Sequence, residues 1–294
     1  MADTHQDPRR AGAAKLVDIY ASIPTMARGK PVLIGGDPKG NNIVYCCGNS
    51  VVIRNVKEPR IADTYSEHSK APTVARYAPS GYYIASGDEM GNVRIWDTTQ
   101  PGKNPLKLEI RALAGRIYDL AWTDDSKRIV AVGDGRETYG NAFFADSGAS
   151  VGEISGHSKT ITTVDVKQTR PYRVMTGGED NANCWYEGPP FKWKKTIHDH
   201  TRFVNCVRFS PNGDHVISVA QDKSGLIFDG KTGESVGALE EAHTGGIYCA
   251  SWSKDGKSIL TASADYTARI FDAETRKCVQ TFQFAEDLEN QQRL

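Results

Sequence analysis

Residues Ser80 to Thr98, SGYYIASGDEMGNVRIWDT, decide how the rest of the chain is read. Ser80-Gly81 breaks the chain, and Tyr82-Tyr83-Ile84-Ala85-Ser86 is a short aromatic and β-branched run suited to a pleated, half-buried surface. Asp88 to Gly91 turns the chain back, and Val93-Arg94-Ile95-Trp96 alternates apolar with polar before Asp97 stops it. Alone this is only a hairpin. What matters is that it recurs.

Aligned on the strand that ends at Trp96-Asp97, the pattern returns as VVIRN ending at Asn55, AFFAD at Asp146, NCWYE at Glu187, GLIFD at Asp229 and ARIFD at Asp272. Successive intervals are 42, 49, 41, 42 and 43 residues, and the one long interval carries an inserted GDGRETYG turn. The turns ahead of the hairpins recur too, as APSG (78–81), TDDS (123–126), SPNG (210–213) and SKDG (253–256). A period of roughly 40–45 residues is that of the four-stranded blade of a WD40-type β-propeller. The fold class predicted is therefore all-β, with six recognisable four-stranded blades of an expected seven-bladed ring. The blades fall at about 31–70, 71–114, 115–157, 158–200, 201–243 and 244–284.

Residues 1–14 are polar and read as a disordered tail, and 15–30 read as an extra strand (KLVDIYASI, Lys15–Ile23) followed by a Pro24 break and a basic linker. Each blade buries both faces against neighbours, so the ring has to close to protect its end blades. Either six blades meet directly or a seventh lies outside this chain. The polar end, AEDLENQQRL, reads as the lead-in to another blade and favours the second closure.

A second series keeps the same register. His68, His157, His200 and His243 precede Asp88, Asp180, Asp222 and Asp265 by 20, 23, 22 and 22 residues. In a WD blade such a histidine sits in the loop entering the innermost strand and bonds a Ser or Thr on the next strand, which reaches the turn Asp. A sheet covered on both faces has to pair its loop polar groups, and each bond contributes on the order of 0.5–1.5 kcal/mol net. These eight residues, with Trp96, form the predicted structural network of the blades, in preference to catalytic or metal-binding roles.

The 294 residues carry 36 basic and 36 acidic side chains and 39% hydrophobic residues, a globular composition without the basic footprint of nonspecific nucleic-acid binding. No apolar run is long enough for a membrane-spanning helix, and the N-terminus lacks the apolar stretch of a secretory signal, so a cytoplasmic chain is expected. The six cysteines, Cys46, Cys47, Cys184, Cys206, Cys249 and Cys278, show no metal-ligand spacing, and most fall within strand-like runs, where they act as small hydrophobes. No nucleophile elbow, phosphate loop, zinc-protease or dinucleotide fingerprint stands in its required context. Gly133-Asp134-Gly135-Arg136-Glu137 lacks a third glycine and a following helix and reads as a polar hairpin turn. The chain is read as a non-enzyme without cofactor or metal.

Several segments are not required by blade architecture. GGDPKGN (35–41), YAPSGYYIASGD (77–88), VRIWDTTQ (93–100), DDSKRIVAVGDGRE (124–137), TRPYRV (169–174), EGPPFKWK (187–194) and HTRFVNCVRFSPNGD (200–214) follow one another in order. Together they resemble the N-terminal propeller of the actin-interacting protein 1 family, over roughly residues 15–294. The resemblance implies binding to cofilin-decorated actin filaments, promotion of filament disassembly and capping of barbed ends, with actin filaments and cofilin/ADF as partners and the actin cytoskeleton as location. It also implies two seven-bladed propellers in full-length members, and an N-terminal strand that helps close the ring.

By motif, the resemblance assigns actin and cofilin binding to Glu137 of GDGRE, Glu179 of GGEDN, Trp193 of PPFKW and Phe203 of HTRF. Glu179 stands where the family usually has Asp, and Trp193 where it usually has Phe; a carboxylate and an aromatic anchor are kept. Each has a plainer reading. Glu137 and Glu179 fit solvated turn acids; Trp193 shares an alternating face with Phe191 and fits packing on a neighbouring blade; Phe203 opens an innermost strand and is the best core candidate of the four. Lys192, Lys194 and Lys195 make a basic stripe, ordinarily a solvated edge, that also suits acidic actin. The alternative to an actin role is a general WD40 scaffold that assembles a signalling or ubiquitin-ligase complex.

Overall fold

Each recurring hairpin is the middle of a four-stranded antiparallel sheet in the computed structural model, which describes residues 20–27, 31–100 and 103–284. Blade one holds β1 (Gly35–Gly36), β2 (Asn42–Cys47), β3 (Ser50–Asn55) and β4 (Ala62–Tyr65). Blade two holds β5 (Pro72–Tyr77), β6 (Tyr83–Asp88), β7 (Asn92–Asp97) and β8 (Leu106–Arg111). Blade three holds β9 (Ile117–Trp122), β10 (Arg128–Gly133), β11 (Gly140–Phe144) and β12 (Ser150–Glu153). Blade four holds β13 (Ile161–Val166), β14 (Arg173–Gly178), β15 (Asn183–Glu187) and β16 (Lys192–Ile197). Blade five holds β17 (Val204–Phe209), β18 (His215–Ala220), β19 (Gly225–Asp229) and β20 (Ser235–Ala238). Blade six holds β21 (Ile247–Trp252), β22 (Ser258–Ser263), β23 (Thr267–Asp272) and β24 (Cys278–Gln283). The architecture is a six-bladed β-propeller, and no helix among the described residues is long and apolar enough to cross a membrane.

Period-two alternation explains why the sheets stack. In blade two, Ile84 and Trp96 face blade one beside Val44 and Val51, while Ala85, Val93 and Ile95 face blade three beside Ile117 and Ile129. A strand buried on both faces reads as a continuous apolar run, which is why β10, RIVAVG, carries so little polar character. β1 and its neighbour β2 pack on β5, and the innermost strands continue in series, β5 on β9, β9 on β13, β13 on β17 and β17 on β21. Among the described residues no comparable packing joins β21 to β1 or β2.

Charge ties the inner strands together at the channel. The buried Asp119 carboxylate on β9 accepts Arg76 Nη2 of blade two at 3.0 Å, Arg208 Nη1 of blade five at 3.0 Å and Thr163 Oγ1 of blade four at 3.2 Å. Burial alone would raise the Asp119 pKa, but the two guanidinium groups outweigh it and hold the acid ionised. Blade six reaches this cluster through Trp252 Nε1, which donates to the Arg208 carbonyl at 2.9 Å.

Two expectations about the chain ends need correction or lie beyond view. The described part of 15–23, Tyr20 to Ile23, is not a strand. Isolated bonds, Tyr45 Oη donating to the Ser22 carbonyl at 2.7 Å and Thr25 N to the Cys46 carbonyl at 3.0 Å, lay this segment along blade one without building a ladder. Pro24, with no N–H to donate, interrupts it there. The rest of the expected strand (15–19), the 1–14 segment expected to be a disordered tail, and the polar end at 285–294 lie outside the described residues. All six cysteines stand in strands and are free.

Candidate protein-binding surface

One side of the disc carries the loops that enter the innermost strands together with the turns between second and third strands; it is called here the upper side. Its rigidity comes from the histidine–aspartate pairs. In blade five, His200 Nε2 meets Ser218 Oγ at 2.9 Å while Nδ1 meets Asp222 Oδ2 at 3.0 Å. Blades four and six repeat this with His157, Thr176 and Asp180, and with His243, Thr261 and Asp265. The histidine itself bridges to the aspartate, whereas the sequence reading passed that contact through the Ser or Thr. The hydroxyl points inward along the sheet and takes Nε2, which leaves only Nδ1 on the side of the turn. In blade two His68 Nε2 meets Ser86 Oγ at 2.6 Å, Trp96 Nε1 donates to the same oxygen at 3.1 Å, and Nδ1 stands 3.9 Å from Asp88.

These turns hold their acids ionised. Burial would raise Asp88, but the nearby His68 ring and hydrogen bonds from the Asn92 side chain and the Asn92 and Met90 amides outweigh it and bring the pKa to about 2. Asp180, Asp222 and Asp265 move in the same direction for the same reason. The histidines diverge. For His157 burial lowers the pKa, yet the bond to Asp180 and the neighbouring Cys184 carry it up to about 9. For His243 burial prevails over Asp265, and the pKa falls below its ordinary value.

The turns then bond back to the loops. Glu179 N donates to the Thr160 carbonyl at 2.9 Å, Gln221 N to the Phe203 carbonyl at 2.9 Å, and Asp134 N to the Arg116 carbonyl at 2.9 Å. Gly91, at φ +87°, sits where a Cβ would come within 2.2 Å of the Leu113 carbonyl oxygen, so only glycine closes that turn against blade three.

On this frame Glu179 and Phe203 line one cavity of about 280 Å³ at the upper mouth of the channel, with Leu33, Arg116, Thr162 and Asn205. Phe203 is 46% exposed and precedes β17, which corrects its reading as the core candidate: the inward-facing run begins one residue later, at Val204. Glu137 is exposed in the inserted loop between β10 and β11, on the same side of the disc but not among the cavity's lining residues. Trp193 stands apart on the perimeter strand β16, 49% exposed. Its Nε1 donates to Thr196 Oγ1 at 3.1 Å, and its ring lies where a Cβ on Gly156 would intrude at 2.5 Å. Phe191 is buried and precedes β16, so it does not share Trp193's exposed face. Lys194 is partly engaged by Glu187 at 3.3 Å.

Arg116, Thr73, Thr162 and Asn205 are mouth residues that the motif reading missed. A signal for the last three was present, because each is the second residue of an innermost strand in the repeat register. Among the described residues no group of His, Cys, Asp and Glu side chains is arranged to hold a metal ion.

The WD domain, G-beta repeat profile matches residues 60–97, 191–229 and 233–272. Each match joins the outermost strand of one blade to the first three of the next, β4 with β5–β7, β16 with β17–β19 and β20 with β21–β23. The chain is a WD40-repeat protein. The sequence is also 60% identical over 224 residues to the 66 kDa stress protein of Physarum polycephalum, covering 76% of this chain and 37% of that protein. WD repeat-containing protein 1 of Gallus gallus is 59% identical over 221 residues, covering 75% of this chain and 36% of its own. The Mus musculus protein of the same name is 55% identical over 224 residues, covering 76% and 37%. WD repeat-containing protein 1 is of the actin-interacting protein 1 family, in agreement with the resemblance carried by the motifs. The WD40 chain spans just over a third of the length of the curated relatives it matches.

Proposed function

We propose that this chain binds cofilin-decorated actin filaments through its upper side, and that it promotes their disassembly and caps the barbed ends, in the cytoplasm. The observation that carries the reading is the pairing of Glu179 with a half-exposed Phe203 at one cavity, at two of the positions where the family resemblance implies filament contacts. An exposed aromatic beside a carboxylate on a rigid rim is the composition of an interface hot spot. Trp193, half-exposed on the perimeter, extends the surface outward, and a propeller presents such loops to protein partners more readily than to small substrates.

Co-sedimentation with actin filaments, with and without cofilin, tests the proposal. Cofilin-dependent pelleting, accompanied by movement of actin to the supernatant, is the expected result. A general scaffold has no reason to bind in that manner, and failure of a folded, monodisperse chain to pellet overturns the reading. Trp193→Ala is expected to weaken disassembly while the melting temperature stays close to that of the parent. A large fall in melting temperature would instead make Trp193 a packing residue.

A further inference from the structure

We infer that the cavity at the upper channel mouth receives a lysine or arginine side chain of a protein partner, with Glu179 as its counter-charge and Phe203 and Leu33 against its alkyl stem. The inference rests on the upper side being a protein-binding surface and names what the partner brings there.

The argument begins with where the polar side chains of the mouth send their protons. Thr73 Oγ1 donates to the Ile117 carbonyl at 2.6 Å, Thr162 Oγ1 donates to the Val204 carbonyl, and Asn205 Nδ2 donates to the Ile247 carbonyl at 2.6 Å. Each bond runs from one innermost strand to the next, so these donors are consumed in tying blades together. What the two threonines leave toward the cavity are hydroxyl lone pairs, and Asn205 adds its amide oxygen beside one remaining N–H, so acceptors predominate. A ligand suited to that lining is rich in N–H groups.

Charge points the same way. Arg116, the cation of the lining, is held by Glu89 at 3.1 Å and stacked 5.5 Å from the Tyr118 ring centroid. The Glu179 carboxylate has neither a hydrogen bond nor an ion pair among the described residues, although its backbone amide is fixed to Thr160. With Arg116 neutralised by Glu89, the charge left unanswered at the cavity is negative. The walls decide between a bare metal ion and an organic cation. Phe203, Leu33, Pro31 and Ile117 line the same space, and apolar surface suits the methylene stem of a basic side chain while offering nothing to a metal.

The test uses the intact chain with its isoleucine and leucine methyls labelled, so that Ile117 and Leu33 report on the cavity by NMR. The probes are the capped tripeptides glycyl-lysyl-glycine and glycyl-arginyl-glycine, with glycyl-glutaminyl-glycine as the uncharged control. Saturable shifts of those methyls with the basic peptides are expected, about tenfold weaker in Glu179→Gln, since a hydrogen bond to a charged group is at stake. Equal shifts with the glutamine peptide, or an unchanged titration in Glu179→Gln with its other methyl signals intact, overturn the inference. Pelleting with cofilin-decorated filaments is run in parallel. Methyl shifts without pelleting leave the cavity reading standing and remove the proposed function; pelleting without methyl shifts does the reverse.

Discussion

Blades five and six have the same four strands and the same histidine–aspartate pair, yet one is buried on both faces and the other on one. Toward the preceding blade they match: Val216 and Phe228 of blade five, and Ile259 and Phe271 of blade six, are fully buried. On the opposite face Ile217, Val219 and Ile227 of blade five pack against Ile247 and Ile259. The corresponding face of blade six presents Leu260, 45% exposed, with Ile270 half-buried and Phe282 39% exposed. Outer strand β24 is exposed along its whole length. The sequence of blade six is thus written for a neighbour that the described residues do not supply. Local pattern specifies a blade, but only the next blade makes the second face a core.

The strongest way to break the interior half of this contrast is to remove the charge tie that blade six lacks. Asp119→Ala leaves Arg76 and Arg208 unpaired near the channel, and a loss of about 3–5 kcal/mol is expected in denaturant unfolding. A shift no larger than that of a surface substitution would mean that the tie contributes little.

The contrast itself is measured by a matched pair. Ile217→Ala is expected to cost about 2–5 kcal/mol through its lost burial and the cavity left behind, whereas Leu260→Ala at the corresponding position of blade six stays within about 1 kcal/mol. Equal costs in the two urea midpoints would show that the face of blade six is covered in solution.

Smaller effects separate the histidine pairs, and here pH provides the handle. Asp88 has a folded pKa of about 2, below its ordinary 3.8, so its stabilising contribution is full above the ordinary value and disappears as pH falls from about 4 toward 2. His157 is raised to about 9, so its contribution is full below about 6.5 and is lost as pH rises through about 9. His243 is lowered, so the sign is opposite and its contribution is lost as the solution is acidified below about 6.5. Unfolding midpoints recorded against pH for His157→Gln and His243→Gln should therefore lose their slopes in different windows, alkaline for the first and mildly acidic for the second. Identical profiles would contradict a charged histidine in blade four and a neutral one in blade six.

How much of this was legible in the sequence follows from range. The hairpin at 80–98, its repetition and the His-to-Asp spacings are local or periodic, and a period of about 40–45 residues admits few architectures, so the blade count and strand order could be read directly. Where the reading faltered, the deciding contacts were not local. Phe203 looked like core because it adjoins an apolar run, and its exposure depends on where β17 begins. Trp193 looked paired with Phe191, yet Phe191 precedes β16 and is buried while Trp193 on the perimeter strand is half-exposed.

By itself the sequence determined the blades, because strand alternation and turn chemistry act within a few residues and the repeat copies them along the chain. Tertiary structure alone decided which residues meet. Asp119 joins Arg208 across 89 positions, and Glu179 reaches Phe203 only because blades four and five stand side by side. Such meetings depend on the radial stacking of sheets, which sets distances between strands that no spacing in the sequence encodes. Whether the second face of a blade is core or surface is decided in the same way, by the presence of a neighbour.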